Sequence, residues 1–534
     1  MAEFRLMDDM GRCYDVSKIM QKIVVVISLC LIYLSLAGKN PYKQNNLIGN
    51  LEPYPDTLYY SVPAWNWVQG KGFEMSIEGY TINSVVPPLY GILLAPVFWL
   101  TNDVRSYYWL NIALCLLTIF LFQKLAEKLF GNRWLSWGLG IVWVSNFYFY
   151  NLPTLLMAEN LLIPLTLATA LVLMDKISLS NLRLSIVVAI LLLLTKMSAL
   201  PVIAILGLGT VSKLFKQNDK KLWIVAIRWG GLAGMLGGWY LFSHLPIWSG
   251  GNGDMNPINL GKNLLVYIWQ LMGRGSSYLW YTNPLLDWWW GVMGVIGTVV
   301  GLVDKKYRQN TLYLVGIIAA VTVFHAMKSY PEGRYVSTLV PLVILLAGTI
   351  FAKLGKLAGV GVLLVLLIFL GSRLTINGFY ERKVTTLRRQ IMNNMRVDNE
   401  VPWNYGAVIS FNQYFKVKDK DVYLATLLPA FYVNYFSNHN YALLPVSETQ
   451  EFSGVGKGLI EQYYQGDGSL IKLYERLIVE GKTVYISNYY LANHRSDWDA
   501  DYATIEKHFA LAQVADGCMG LCKIYRLEIK IPSN

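Results

Sequence analysis

The sequence predicts a polytopic α-helical membrane protein that ends in a soluble α/β domain. Three observations carry that prediction. The chain of 534 residues is 54% hydrophobic and only 15% charged, where a soluble protein of this size has about 25% charged residues. Apolar runs near the length needed to cross a bilayer recur through the first two thirds. From Thr375 onward polar residues rise, and short runs with strand character (Ala407–Phe411, Thr483–Ser487, Cys522–Leu527) alternate with helical ones (Gly458–Tyr464, Ser469–Val479).

The head, Met1–Lys22, carries Arg5, Arg12, Lys18 and Lys22. A basic head before a first span, Ile23–Ala37, puts the N-terminus in the cytoplasm. That span lacks a small-residue cleavage site and reads as a retained anchor. The loop from Gly38 is then outside. Within it, Val85–Leu100 is apolar but short and interrupted by Pro87, Pro88 and Pro96, which weakens a straight helix. It reads as a helix lying at the outer interface. Spans two to eleven fall near Tyr107–Phe122, Trp134–Tyr150, Leu161–Met174, Leu184–Thr195, Leu200–Val211, Leu222–Phe242, Trp288–Val303, Leu312–His325, Tyr335–Ala352 and Leu357–Leu370.

Charge tests this layout. The segments Gln123–Arg133, Asp175–Arg183, Ser212–Lys221, Asp304–Asn310 and Lys353–Lys356 hold about fourteen Lys and Arg, against about five in the outer loops after the third span. If Val85–Leu100 crossed, the bias would invert. The formal net charge of +12 is therefore assigned to cytoplasmic loops, not to a nucleic-acid surface. The layout gives a transmembrane part, 1–372, including a first outer loop at 38–106, and an extracytoplasmic α/β domain at 373–534. Of the five Cys, Cys30 and Cys115 lie in spans as small apolar fillers. Cys518 and Cys522 can pair if their end faces an oxidising compartment.

Ionisable residues at span ends are costly and point to function. Glu159 opens a span in Met157-Ala-Glu-Asn160, Lys196 lies at the turn between two short spans, and Arg334 leads Tyr335 into the tenth. Each alone fits a snorkelling or paired charge; together on the outer face they look like a site. Asp56 lies among Tyr54, Tyr59 and Tyr60, where apolar surroundings raise a carboxyl pKa. A carboxylate there can take the proton of an attacking hydroxyl, and the aromatic rings suit a sugar. Asp56 also fits a helix cap. Glu52 is a second acidic candidate. Lys196 and Arg334 suit a phosphate, as point charge and planar fork.

Other patterns are weaker. Gly454-Val-Gly-Lys-Gly458 lacks the spacing of a phosphate loop. Asp497-Trp-Asp-Ala-Asp501 lacks the later residues of a calcium loop and reads as a solvated loop. No His pair has metal-ligand spacing.

These residues resemble the GT-C superfamily of membrane glycosyltransferases, in its branch of protein O-mannosyltransferases and aminoarabinose transferases. The resemblance runs in order through Pro55-Asp-Thr-Leu-Tyr-Tyr60 with Gly70-Lys-Gly-Phe73, Val86-Pro-Pro-Leu-Tyr90, Lys128-Leu-Phe-Gly131, Met157-Ala-Glu-Asn160 and Glu332-Gly-Arg-Tyr335, and covers Ile23–Leu370. It implies an outward-facing site, a polyprenyl-phosphate sugar donor, and an inverting transfer with Asp56 as base. The adjacent Asp-Glu pair of the protein mannosyltransferases is absent. Members differ in metal dependence, so a divalent cation is the one cofactor left open.

The expectation is a glycosyltransferase moving a sugar from polyprenyl phosphate to a hydroxyl of a glycan, lipid or protein acceptor. Asp56 and Glu159 are its catalytic candidates, and Glu52, Tyr59, Tyr60, Lys196, Arg334 and Tyr335 its substrate-binding ones. A polysaccharide polymerase or ligase is a rival, but the His244–Asp287 loop holds only Arg274 and His244 of the residues it would use. A flippase or transporter is another, against which stands the absence of two related halves.

Overall fold

The computed structural model describes residues 5–7, 13–38, 48–49, 51, 53, 56–77, 80–82, 86–248, 256–273, 285–328, 331–353, 404–417, 419, 421–428, 430–447, 470–489, 496–517 and 522–530. Glu52, the expected eleventh span at 357–370, Arg274, Cys518 and the 454–458 segment lie outside them. Cys522 is disulfide-bonded.

The helices are α1 (Val16–Gly38), α2 (Leu58–Val68), α3 (Leu89–Thr101), α4 (Tyr107–Phe130), α5 (Arg133–Val144), α6 (Phe147–Asn151), α7 (Glu159–Met174), α8 (Leu179–Thr195) and α9 (Leu200–Gln217). There follow α10 (Lys220–Trp248), α11 (Leu260–Leu271), α12 (Trp288–Val303), α13 (Arg308–Ala326), α14 (Val340–Lys353), α15 (Asn404–Tyr414), α16 (Ala430–Phe436), α17 (Leu470–Val479) and α18 (Ser496–His508). The strands are β1 (Arg5–Met7), β2 (Cys13–Asp15), β3 (Met75–Ile77), β4 (Tyr80–Ile82), β5 (Val422–Ala425), β6 (Ala442–Leu444), β7 (Thr483–Ser487), β8 (Phe509–Ala515) and β9 (Ile524–Ile529). By its contacts the chain divides into two compact units, one of residues 1–43, 85–93 and 108–381, the other of 44–84, 94–107 and 382–534.

Apart from the antiparallel β1–β2 pair, the described residues of the first unit are mainly helical. Among the described residues, five helical stretches are long and apolar enough to cross a membrane: Met20–Ala37, Val104–Phe130, Met197–Gln217, Arg308–Ala326 and Gly333–Lys353. Four further apolar helices, α3, α7, α8 and α12, are shorter. Without a hydrophobic drive between them in lipid, such helices associate through close packing of small residues. Here α12 presents Gly291, Gly294, Gly297 and Gly301, all buried. A Cβ on Gly297 would lie 2.0 Å from the Leu346 carbonyl oxygen of α14, and one on Gly301 2.3 Å from Thr311 Oγ1 of α13. Thr349 Oγ1 then donates across to the Gly297 carbonyl at 2.6 Å.

Charge gathers at one end of this unit. Lys22 of α1 pairs with Glu127 near the end of α4 at 3.3 Å, and Lys128 pairs with Asp175 after α7. Lys213 of α9 donates to the Asp175 carbonyl at 2.7 Å. Lys353 meets Asp304 at 3.6 Å, and Phe130 meets Tyr307. All but Lys22 lie in the segments whose positive charge assigned them to the cytoplasm, and Lys22 ends the basic head. α1 therefore starts, and α4 ends, at this rim.

Two boundaries differ from expectation. The third span, expected to run to Tyr150, breaks at Ser145-Asn146, where Asn146 caps Phe149 N at 3.1 Å and donates to the Leu285 carbonyl at 2.9 Å. The stretch His244–Asp287, expected as a loop, takes in the end of α10 and all of α11.

The second unit contains a five-stranded sheet in the order β6-β5-β7-β9-β8. β5 pairs in parallel with β6 and β7, while β9 is antiparallel to β7 and β8. Its core joins Leu444, Ile486 and Leu527 from the sheet to Leu473, Tyr474 and Leu477 of α17 and Ile505 of α18. Ala407–Phe411, expected as a strand, lies in α15. Its buried residues Ala407, Val408 and Phe411 recur with helical spacing, which outweighs the β-branched content. The 497–501 carboxylates, expected in a loop, lie inside α18.

Candidate active site

Glu159 opens α7, and the turn before it is pinned by two asparagines. Asn160 Nδ2 donates to the Leu155 and Met157 carbonyls at 2.9 and 3.1 Å. Asn111 Nδ2 donates to those of Pro153 and Leu155, and Asn111 Oδ1 accepts from Tyr90 Oη at 2.7 Å. This fixes a carboxylate at a helix N-terminus, where the dipole favours negative charge. Glu159 is 2% exposed, and a charge that buried needs a partner. Lys196 supplies it through an ion pair. Lys196 sits in extended backbone that ends α8 and leads through a short 3-10 turn, Met197–Ala199, into α9.

A second carboxylate and guanidinium follow. Glu332 precedes the 3-10 segment Gly333–Leu339 and pairs with Arg334. The segment is fastened by Ser337 Oγ, which donates to the Arg334 carbonyl at 2.7 Å and accepts from Tyr148 Oη at 3.0 Å.

Tyr335 is the centre of the cluster. Its ring stacks on His325 with centroids 4.9 Å apart and planes within 5°. The Lys328 ammonium lies 3.9 Å from the ring centre, Arg334 Cζ 5.3 Å and Lys196 Nζ 5.7 Å. Cations over an aromatic face are stabilised by about 0.5 to 2 kcal/mol each. Lys328 is held by its backbone: its N–H donates to the His325 carbonyl at 3.0 Å, and its own carbonyl accepts from Asn263 Nδ2 of α11 at 2.6 Å. Burial, then the charges of Lys196 and Arg334, push the Lys328 ammonium down to about 8, with Glu159 and Glu332 pulling the other way. Three cations face two carboxylates, leaving an electropositive site suited to an anion. It lies at the end of the unit opposite the charged rim, because α7 begins there and ends at the rim.

With that geometry in hand, comparison with solved structures finds ArnT from Cupriavidus metallidurans, crystallised bound to undecaprenyl phosphate and in the apo state. The first is 13% identical over 96% of this chain and 98% of that one, with a TM-score of 0.56. The second is 13% identical over 95% and 98%, with a TM-score of 0.54. The chain has the GT-C fold. No protein-family model and no curated protein matches the sequence.

Within this GT-C fold, the structure brings Glu159, Lys196, Arg334 and Tyr335 together as one cluster. Asp56, Tyr59 and Tyr60 belong to the other compact unit. There the N-cap position of α2 is Thr57, so Asp56 stands one residue before it. Asp56 and Tyr59 are half-buried and Tyr60 is buried. Burial, then the Asp56 charge, raises the Tyr59 phenol above its ordinary value. Ser61 Oγ meets Tyr435 Oη of α16 at 3.1 Å, and Trp65 packs edge-on against Tyr435 and Phe98. Arg105 donates to Tyr405 Oη of α15 at 2.7 Å.

Lys328, Glu332 and His325 complete the cluster and were not among the expected site residues. Lys328 and Glu332 lie in the loop that ends at Arg334, so proximity in sequence was the available signal. Among the described residues no group of three His, Cys, Asp or Glu side chains could hold a metal ion.

Proposed function

We propose that this chain is an integral membrane glycosyltransferase that moves a sugar from a polyprenyl-phosphate donor to an acceptor hydroxyl at the outer face of the membrane. The carrying observation is the cation cluster around Tyr335, paired with buried Glu159 at the end opposite the charged rim. The likeness to ArnT, whose crystal holds undecaprenyl phosphate, supports a lipid-phosphate ligand.

In this reading Lys196 and Arg334 neutralise the phosphate oxygens as the bond from sugar C1 to phosphate oxygen breaks. Stabilising charge that develops on a leaving group is the larger part of such catalysis. Asp56 takes the proton of the acceptor hydroxyl as its oxygen bonds to C1, and the polyprenyl phosphate leaves. Glu159 orients the acceptor or donor; Tyr59, Tyr60, Glu52 and Tyr335 line the sugar and acceptor. The support for Asp56 is its place in an aromatic acidic motif of the first outer loop. The reading further takes eleven crossings, a cytoplasmic N-terminus, and an extracytoplasmic domain at 373–534 that receives the acceptor.

The test uses membranes containing the wild type or Asp56→Asn, supplied with labelled lipid-linked sugars. Wild type should consume the donor and label an acceptor, and the variant should lose transfer while still binding undecaprenyl phosphate. Transfer by the variant at the wild-type rate removes Asp56 as base. Translocation of intact donor without its loss makes the protein a flippase.

A further inference from the structure

Two of the cations in the cluster are already engaged. Lys196 pairs with Glu159, their side chains 18% and 3% exposed, and Arg334 pairs with Glu332, 11% and 29% exposed. Lys328 differs. It makes no ion pair with a carboxylate among the described residues, and its ammonium faces the Tyr335 ring. Its position does not depend on charge, since Asn263 and the His325 carbonyl hold its backbone.

We infer that Lys328 is the open anion position of this site, and that Glu159 and Glu332 are resident counter-ions that Lys196 and Arg334 leave when a phosphate arrives. The inference rests on the lipid-phosphate reading above for the class of anion.

Three features support it. Among the described residues, an approaching anion meets an excess of one positive charge, concentrated on the cation with no carboxylate of its own. Lys196 lies between Glu159 and the Tyr335 ring, so a turn about its flexible stem carries the ammonium from carboxylate to ligand. Burial and then the charges of Lys196 and Arg334 lower the basicity of Lys328, with Glu159 and Glu332 opposing them, and an anion beside the ammonium offsets that. Resident carboxylates also limit how tightly the spent carrier is held. After the sugar has left, the lipid phosphate competes with Glu159 and Glu332 for the same cations and is more easily released.

The experiment measures equilibrium binding of undecaprenyl phosphate to the purified full-length protein in detergent, with undecaprenol as the uncharged control. Lys328→Ala should weaken binding by about ten-fold or more, as expected for losing a charge-assisted contact. Glu332→Gln should tighten it by roughly three- to ten-fold, the range expected for removing a partly exposed competing ion pair. Glu159→Gln should act in the same direction. Because Glu159 is buried, that variant can fail to fold, and the half-exposed Glu332 then decides the outcome. Wild-type affinity in Lys328→Ala, or unchanged or weaker binding in Glu332→Gln, overturns the inference while leaving the lipid-phosphate reading standing. Equal binding of undecaprenyl phosphate and undecaprenol by wild type overturns both.

Discussion

Protonation of Lys328 should set how lipid-phosphate binding depends on pH. Its ammonium is pushed from 10.5 down to about 8, first by burial and then by Lys196 and Arg334. A fall of that size disfavours the charged form by about 3 kcal/mol. The side chain is mostly charged at pH 7 and about one-tenth charged at pH 9. If the phosphate takes only the ammonium form, affinity for undecaprenyl phosphate should drop about ten-fold across that range. The second ionisation of a phosphate monoester lies near 6, below the window. Lys196, Arg334, Glu159, Glu332, His325 and Tyr335 face the same ammonium, so a control must isolate its titration. Lys328→Arg does so, because a guanidinium stays charged throughout. Binding should be measured in detergent from pH 7 to about 9.5. The wild-type profile should fall and the Arg profile stay flat. A flat wild-type profile, or a parallel fall in both proteins, refutes the reasoning. Stability should move the other way. The unfolded chain keeps its lysine proton to about 10.5 and the folded one releases it near 8, so the unfolded state binds more protons between these values. Wild type therefore gains thermal stability as pH rises from 8 to about 10.5, and Lys328→Met has that gain already at pH 7.

Two further substitutions test the scaffold. Gly297→Ala puts a methyl 2.0 Å from the Leu346 carbonyl oxygen, a backbone atom that cannot turn aside. It should cost about 1 to 3 kcal/mol or more, read as a lowered melting temperature in detergent; an unchanged temperature would mean that α12 and α14 separate easily. Tyr435→Phe removes the hydroxyl that meets Ser61. It should cost about 1 kcal/mol in the second unit, seen as faster proteolysis or hydrogen exchange in α2, and equal protection in both proteins would show that the contact contributes nothing.

Much of the helical unit was legible because lipid imposes a coarse rule. A span must be apolar for a known length, and its flanking Lys and Arg record the side. That rule located the helices α1, α4 and α7 to α10. The site was legible in part. Glu159, Lys196, Arg334 and Tyr335 stood out because ionisable or aromatic groups at span ends are few. Lys328 did not, although it lies six residues before Arg334, because a lysine in a polar loop looks solvated. Only Asn263, on a helix the sequence reading left as loop, shows that its backbone is fastened against the cluster. The reading of Ala407–Phe411 as a strand failed for a related reason. Val and Ile argue for a strand locally, but burial against the rest of the unit follows the helical repeat.

The pairing of Ser61 with Tyr435 joins residues 374 positions apart, and Tyr405 similarly closes on Gly49 and Arg105. At a translation rate of about 5 to 20 residues per second, roughly 20 to 75 seconds separate the emergence of the two partners. During that interval the aromatic face of α2 has been made but its cover has not. A chain cut short before α15 would lack the part of that cover that Tyr435 supplies, and Trp65 would keep only its contact with Phe98.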